Sequence, residues 1–238
     1  MFILTLLLIL QSDVSSGENS SIQQAEKKSK EYVVKNEWEE SFLQGEKLLL
    51  NLKNSELIII DIQPWERNFV RIECVKKIKY AGFNIEEIRL GDIALKIKRG
   101  RNLKRVTVKF NRDGLIRNRC ITYGVGYYIN INLPKYADIE LNGNNALVSI
   151  HNIYGKVDVN VKEGEILCEL DSLSNNPVRL NLGKGDITLK TKMKPESIFA
   201  KTEEGEIKSS FPIDTLDPKA SLKLLTTSGN IYIQEIKE

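Results

Sequence analysis

Four glycines of this chain stand in the same setting. The segments VDVNVKEGEILCEL (157–170), VRLNLGKGDITLKT (178–191), SIFAKTEEGEIKSS (197–210) and SLKLLTTSGNIYIQ (221–234) each carry an apolar residue seven positions before the glycine and an isoleucine two after it. The leading residues are Val157, Val178, Ile198 and Leu222, the glycines Gly164, Gly185, Gly205 and Gly229, and the isoleucines Ile166, Ile187, Ile207 and Ile231. Successive glycines are 21, 20 and 24 residues apart. Period-two alternation on both sides of the glycine predicts two short strands, each with one buried face. The residues between them make a tight turn, where glycine supplies a positive φ at least steric cost.

Two weaker copies extend the pattern. In ADIELNGNNALVSI (137–150) the frame is held by Ala137, Ile139, Leu141, Ala146, Val148 and Ile150. Asn144 takes the glycine place there, asparagine being the residue that next best tolerates the left-handed conformation. Far upstream, LLLNLKNSELIIID (48–61) repeats the frame with Leu48, Leu50, Leu52, Leu57 and Ile59, and Ser55 replaces the glycine. A lone strand pair of this size is marginal in water. A unit of about 20 residues instead predicts coils of a β-solenoid, each covering the next. The intervening residues Asp158, Asn160, Arg179, Asn181, Lys190, Lys208 and Lys223 are polar, as an outward face requires. A sandwich of consecutive hairpins is the competing fold, and the near-constant period favours the solenoid.

Upstream the pattern loosens into a more irregular β portion. FVRIECV (69–75), IRLGDIALKIK (88–98) and RVTVKF (105–110) alternate, and YYININLPK (127–135) is a strand ended by Pro134. EYVVKNEWEESFLQ (31–44) suits one helical turn or a strand entry equally well. The chain begins with an apolar run over residues 2–10, too short for a spanning helix of roughly 20 residues. With Ser15, Ser16 and Gly17 after it, residues 1–17 read as an export signal and 18–34 as a polar tether. Residues 35–133 then form the irregular β portion and 134–238 the regular coils, with 35–238 as one continuous domain the alternative. Membrane contact is expected only through the first segment, if it stays uncleaved.

The chemistry-bearing residues form no catalytic constellation. Cys74, Cys120 and Cys168 lack paired spacing, so zinc and redox motifs are unsupported. Cys74 and Cys168 are in phase with apolar neighbours and read as small core residues, one disulfide remaining open after export. His151, the one histidine, is framed by no Ser, Cys or Asp motif and reads as a surface or turn residue. Gly124-Val125-Gly126 precedes a strand instead of opening a helix, and Gly183-Lys184-Gly185-Asp186 falls inside the repeat; neither is a nucleotide loop. Glu163, Glu165, Asp186, Glu203, Glu204 and Glu206 recur at the turns. They form a calcium-binding or catalytic ridge or, with Lys184 and Lys201 interleaved, a solvated edge.

Net charge is only +3, yet KIKRGRNLKRVTVKFNRDGLIRNR (96–119) carries ten cations against Asp113 alone. They are Lys96, Lys98, Arg99, Arg101, Lys104, Arg105, Lys109, Arg112, Arg117 and Arg119. Such a run is a patch for an anionic envelope polymer, or simply the solvated faces of two strands and their loop.

The signal-like start, the LLLNLKNSELIII unit, FVRIECV, YYININLPKYADIEL, the turn Ile153-Tyr154-Gly155-Lys156-Val157 and the serial G-[DEN]-I-x-[LI] units together resemble the bacterial putative-adhesin family. The resemblance covers about residues 40–238 and implies a right-handed parallel β-solenoid. It implies an exported, non-enzymatic binding or scaffold surface of the cell envelope, in the periplasm, on the cell surface or outside the cell. No cofactor, catalytic residue or metal is expected; the partners are envelope polysaccharide or another anionic polymer, or a second copy of the chain. Nucleic acid is not expected. The alternatives are a polysaccharide lyase or hydrolase, and a self-associating structural protein.

Overall fold

The computed structural model describes residues 30–54, 56–82, 88–89, 91–111, 114–115, 120–171, 177–192, 195–213 and 220–236. The signal-like segment, most of the tether, Ser55, Arg112, Arg117 and Arg119 lie outside them, as does the side chain of Cys120. Among the described residues every regular element is a strand, so 31–44 resolves as strand β1 (Lys30–Ser41).

The chain forms two compact units. One gathers Met1–Val33, Lys77–Leu90 and Asp113–Val125. Its described residues include a short antiparallel ladder of Ile88–Arg89 with Gly114–Leu115, with Ile88 opposite Leu115. The other comprises Val34–Lys76, Gly91–Arg112 and Gly126–Glu238 and contains all the repeats.

In chain order after β1, the strands are β2 (Lys47–Leu52), β3 (Ile58–Trp65), β4 (Phe69–Gly82), β5 (Ile88–Arg89), β6 (Ile93–Gly100), β7 (Leu103–Phe110), β8 (Gly114–Leu115) and β9 (Cys120–Pro134). Next come two long strands, β10 (Asp138–His151) and β11 (Val157–Leu170), each a complete repeat. Three repeats broken at the glycine follow: β12 and β13 (Val178–Lys184, Ile187–Thr191), β14 and β15 (Ile198–Glu204, Ile207–Ser209), and β16 and β17 (Leu222–Ser228, Ile231–Glu235).

Each repeat pairs in parallel with its neighbours, the first half in one ladder and the second in another. The first ladder runs β7, β2, β10, β11, β12, β16, β14, with β6 added antiparallel on β7. The second runs β9, β3, β10, β11, β13, β17, β15. The alternate residues of both ladders face inward, and among them Leu50, Ile62, Val159, Leu180, Leu224 and Ile233 are each at most 1% exposed. Each such side chain contributes roughly 1.5–3 kcal/mol by leaving water. This is the parallel solenoid-like class that the repeat predicts.

The stacking order departs from chain order. The last repeat, 221–234, does not end the stack: β16 and β17 lie between the repeat of β12 and β13 and that of β14 and β15. The inward residues explain the placement. Leu224 and Ile233 are large and buried, whereas the outermost repeat presents only Ala200 and Ser209 at the matching places. A weak core face costs least at the end of a stack.

Turn chemistry locks this order. The glycines align in a column, and Gly229 has φ 140°. A Cβ on Gly229 would lie 2.0 Å from the Gly185 carbonyl oxygen, so both the dihedral and the neighbouring repeat exclude a side chain. The residues after Gly185 and Gly229 then reach across the stack. Asp186 Oδ1 accepts from the Asn230 backbone N–H at 2.7 Å, and Asn230 Oδ1 accepts from that of Glu206 at 3.0 Å. The Thr226 and Thr202 hydroxyls donate to the carbonyls of Gly185 and Gly229.

The two weaker copies correct the sequence frame. Ala146, not Asn144, lies opposite Gly164, and Asn144 falls two residues earlier in the strand. Asn152 (φ 49°) is the one described non-glycine residue with positive φ. In the upstream copy Leu48 and Leu50 pair in frame, but the turn is longer and β3 buries Ile58, Ile60 and Ile62. Leu57 is therefore 43% exposed and Ile59 faces outward, since a slip of one residue exchanges the faces of a strand.

Candidate functional site

Residues 96–110 of the basic run fold into the antiparallel hairpin of β6 and β7, and the pleat divides their cations between two faces. Arg99 and Lys104 face one another in register, on the face that meets Glu40 and Glu46. Arg99 donates to Glu40 Oε1 at 2.7 Å, and Lys104 Nζ lies 3.2 Å from the same oxygen and 3.4 Å from Glu46. Lys104 is only 6% exposed. The hydrogen bond from Arg99, followed by those of Lys104, holds the Glu40 carboxyl below its usual value against the opposing effect of burial. Both cations are thus ion-paired, Lys104 buried and Arg99 at the exposed rim, and their charge is already answered within the predicted patch. Arg101 and Lys109 are exposed, in the turn and on the opposite face.

Lys96, Lys98 and Arg105 point the other way, into a cleft of about 630 Å³. The cleft continues over the outer face of β2, β10 and β11, where Lys53 and Lys162 add two cations from outside the basic run. None of its lining residues is a carboxylate or an aromatic. Among the described residues none of these five cations has an ion-pair partner. The acids two residues before Asn142 and Asn160 on β10 and β11 are already engaged, Glu140 by Lys47 and Asp158 by Lys156. The Lys47 hydrogen bond is the main reason the Glu140 carboxyl sits below its usual value.

Between the cations runs a line of asparagines that motif reading missed. Asn51, Asn142, Asn160 and Asn181 are successive register partners on β2, β10, β11 and β12. Their signal is present in the sequence as LLLN, IELN, VDVN and VRLN, an asparagine three residues after the leading apolar position. It falls outside every catalytic motif, which is why a search for chemistry passes over it.

On the second ladder's outer face, His151 is half-buried between two carboxylates. Its Nε2 lies 3.4 Å from Asp61 on β3 and its Nδ1 3.3 Å from Glu169 on β11, while Lys190 of β13 donates to Glu169 at 2.7 Å. The Asp61 hydrogen bond, then the charges of Asp61 and Glu169, raise the imidazole's pKa against desolvation. This is a row of alternating charge that ties four neighbouring strands together. The turn carboxylates are dispersed: Glu163 faces Lys184, Glu206 faces Lys208, and Asp186 serves the backbone. Among the described residues no group of three His, Cys, Asp or Glu side chains is placed to hold a metal ion.

The family profile described as Toastrack DUF4097 matches residues 12–238, nearly the whole chain. The chain belongs to the Toastrack DUF4097 family. Among solved structures, a putative cell adhesion protein from Clostridium sporogenes is 16% identical to this Toastrack chain, with a TM-score of 0.56. The match covers 85% of this chain and 100% of that one, and at such identity it shows the fold alone. A putative adhesin from Parabacteroides merdae is 12% identical, with a TM-score of 0.25, covering 86% of this chain and 97% of that one. A putative adhesin from Bacteroides fragilis is 8% identical, with a TM-score of 0.24 and the same coverage. No curated protein matches the chain.

Proposed function

We propose that this Toastrack protein is an exported, non-enzymatic, adhesin-like component of the cell envelope that binds anionic polymer. Its working surface is the outer face of the β6–β7 hairpin together with the strands beside it. The observation that carries the reading is the convergence of Lys53, Lys96, Lys98, Arg105 and Lys162, none ion-paired among the described residues, on one cleft with no carboxylate in its lining. Cations held this way keep their full attraction for an outside anion. The apolar run at residues 2–10, followed by small residues, supports export, and the names of the solved relatives support a surface role. An enzyme reading draws less support. The carboxylates that do converge, Asp61 and Glu169, are committed to His151, and neither lines the cleft.

The test is retention of envelope fractions by the immobilised protein, wild type against a Lys96→Glu, Lys98→Glu, Arg105→Glu variant. The wild type should retain an anionic polymer in a salt-sensitive way and the variant should not. Equal retention by both would remove this face from the reading.

A further inference from the structure

We infer that the asparagine line and its flanking cations form a subsite for one chain of an acidic polysaccharide, lying across the strands of the first ladder. The inference rests on the proposed binding face and names the chemistry that the face selects. Asn51, Asn142, Asn160 and Asn181 follow one another at the spacing of adjacent strands, about 4.8 Å. That step is close to the length of one sugar ring. Among the described residues Asn51, Asn160 and Asn181 make no side-chain hydrogen bond, and Asn142 uses only its amide N–H₂, toward Glu140 Oε1. Four carboxamide oxygens and three amide groups therefore stand unused on an outward face.

A carboxamide offers donors and an acceptor side by side, and a sugar hydroxyl is both donor and acceptor. A ligand made only of phosphate oxygens would satisfy the N–H groups and leave each carboxamide oxygen without a donor. The row therefore selects hydroxyl-bearing chains, and the cations on either side select those that carry carboxylate or sulfate groups. Lys53 and Lys162 stand two residues further along the strands than Asn51 and Asn160, so they flank the line on one side. Beyond Asn51 the line's own register continues through Thr107 of β7 to Lys96 of β6, so Lys96 closes its end, while Lys98 and Arg105 stand on the line's other side. No aromatic ring lines the cleft, so recognition comes from charge and hydrogen bonds instead of stacking. That arrangement suits neither a neutral glycan nor single-stranded nucleic acid, which relies on aromatic platforms.

The test measures binding of four probes to the full chain: an oligogalacturonate, a sulfated chondroitin oligomer, neutral dextran and inorganic polyphosphate. The wild type should bind at least one of the two acidic glycans, the uronate and sulfate arms separating the anionic group, and should not bind dextran. An Asn51→Ala, Asn160→Ala variant should lose about tenfold in affinity for the acidic glycan, two modest hydrogen bonds being worth roughly that much. Its polyphosphate binding should be unchanged. The isosteric Asn160→Asp variant, the less disruptive of the two, should weaken the acidic glycan further through repulsion. Acidic-glycan binding that both variants leave at the wild-type level would overturn the subsite while leaving the charged face intact. Binding of polyphosphate but of neither glycan would do the same. Failure of the wild type to bind any polyanion would overturn the face and the subsite together.

Discussion

His151 and Gly229 show how single positions hold neighbouring repeats. The imidazole of His151 joins β3, β10 and β11, and its charged form is favoured by the Asp61 hydrogen bond first and by both carboxylate charges after it. A folded pKa raised above 6.5 adds stability that is full below 6.5 and is lost as pH rises through the folded value. Asp61 and Glu169 are held below 3.8 and 4.5, the first mainly by His151 and the second mainly by Lys190. Their contributions are present above those values and fade as pH falls through the lowered ones. All three overlap between 4.5 and 6.5. A His151→Gln variant should therefore show its largest drop in Tm inside that window and a smaller one in alkaline buffer. The groups are partly exposed, so the drop is worth about 1 kcal/mol or less, roughly 2–4 °C for a chain of this size. A difference independent of pH would contradict the charge assignment. At Gly229 the cost is steric: Gly229→Ala should lose about 3 kcal/mol, or roughly 6–12 °C, through strain at φ 140° and collision with the Gly185 carbonyl. Gly124→Ala, with open space around the added carbon, is the control and should melt like the wild type.

At the scale of the strand, the informative result is the exchange of the last two repeats. Every repeat shares the same period and turn chemistry, so these do not distinguish a neighbour in sequence from a neighbour in space. The gap of 24 residues between Gly205 and Gly229, against 20 and 21 before it, and the small inward residues Ala200 and Ser209 were the traces in the sequence. The exchange is open to a direct check by cross-linking. Thr188 and Tyr232 are register partners on β13 and β17, within reach of a disulfide, whereas Thr188 and Lys208 stand two strands apart at about 10 Å. In a Cys120→Ser background, a Thr188→Cys, Tyr232→Cys pair should oxidise readily and a Thr188→Cys, Lys208→Cys pair should not. Stacking in chain order would reverse the two results. The native Cys74 and Cys168 do not compete, since both are buried and burial pushes their thiols up to about 12.

For the molecule as a whole, the repeat at the outer edge carries Lys201, Glu203, Glu204, Glu206 and Lys208, charges of both signs that oppose pairing with another sheet. Much of this architecture was readable beforehand. Strand positions, inward faces and the turn glycines at 164, 185, 205 and 229 follow from alternation and from φ, which are properties of consecutive residues. Buried Lys76 was not readable: it is 0% exposed, with its ammonium donating to the carbonyl of Asn111 at 2.9 Å. Nor was the division of the basic run, because Arg99 and Lys104 meet Glu40 only once β1 is in place. The sequence by itself determined the unit: two strands, a glycine turn, and a polar face that repeats. Tertiary structure alone decided which units touch, and so gathered Lys53, Lys162 and the asparagines of four repeats beside Lys98 and Arg105. The reason is physical. Parallel pairing joins residues distant in the chain, and among near-equivalent faces the partner is chosen by how well the whole core fills, which no single repeat encodes.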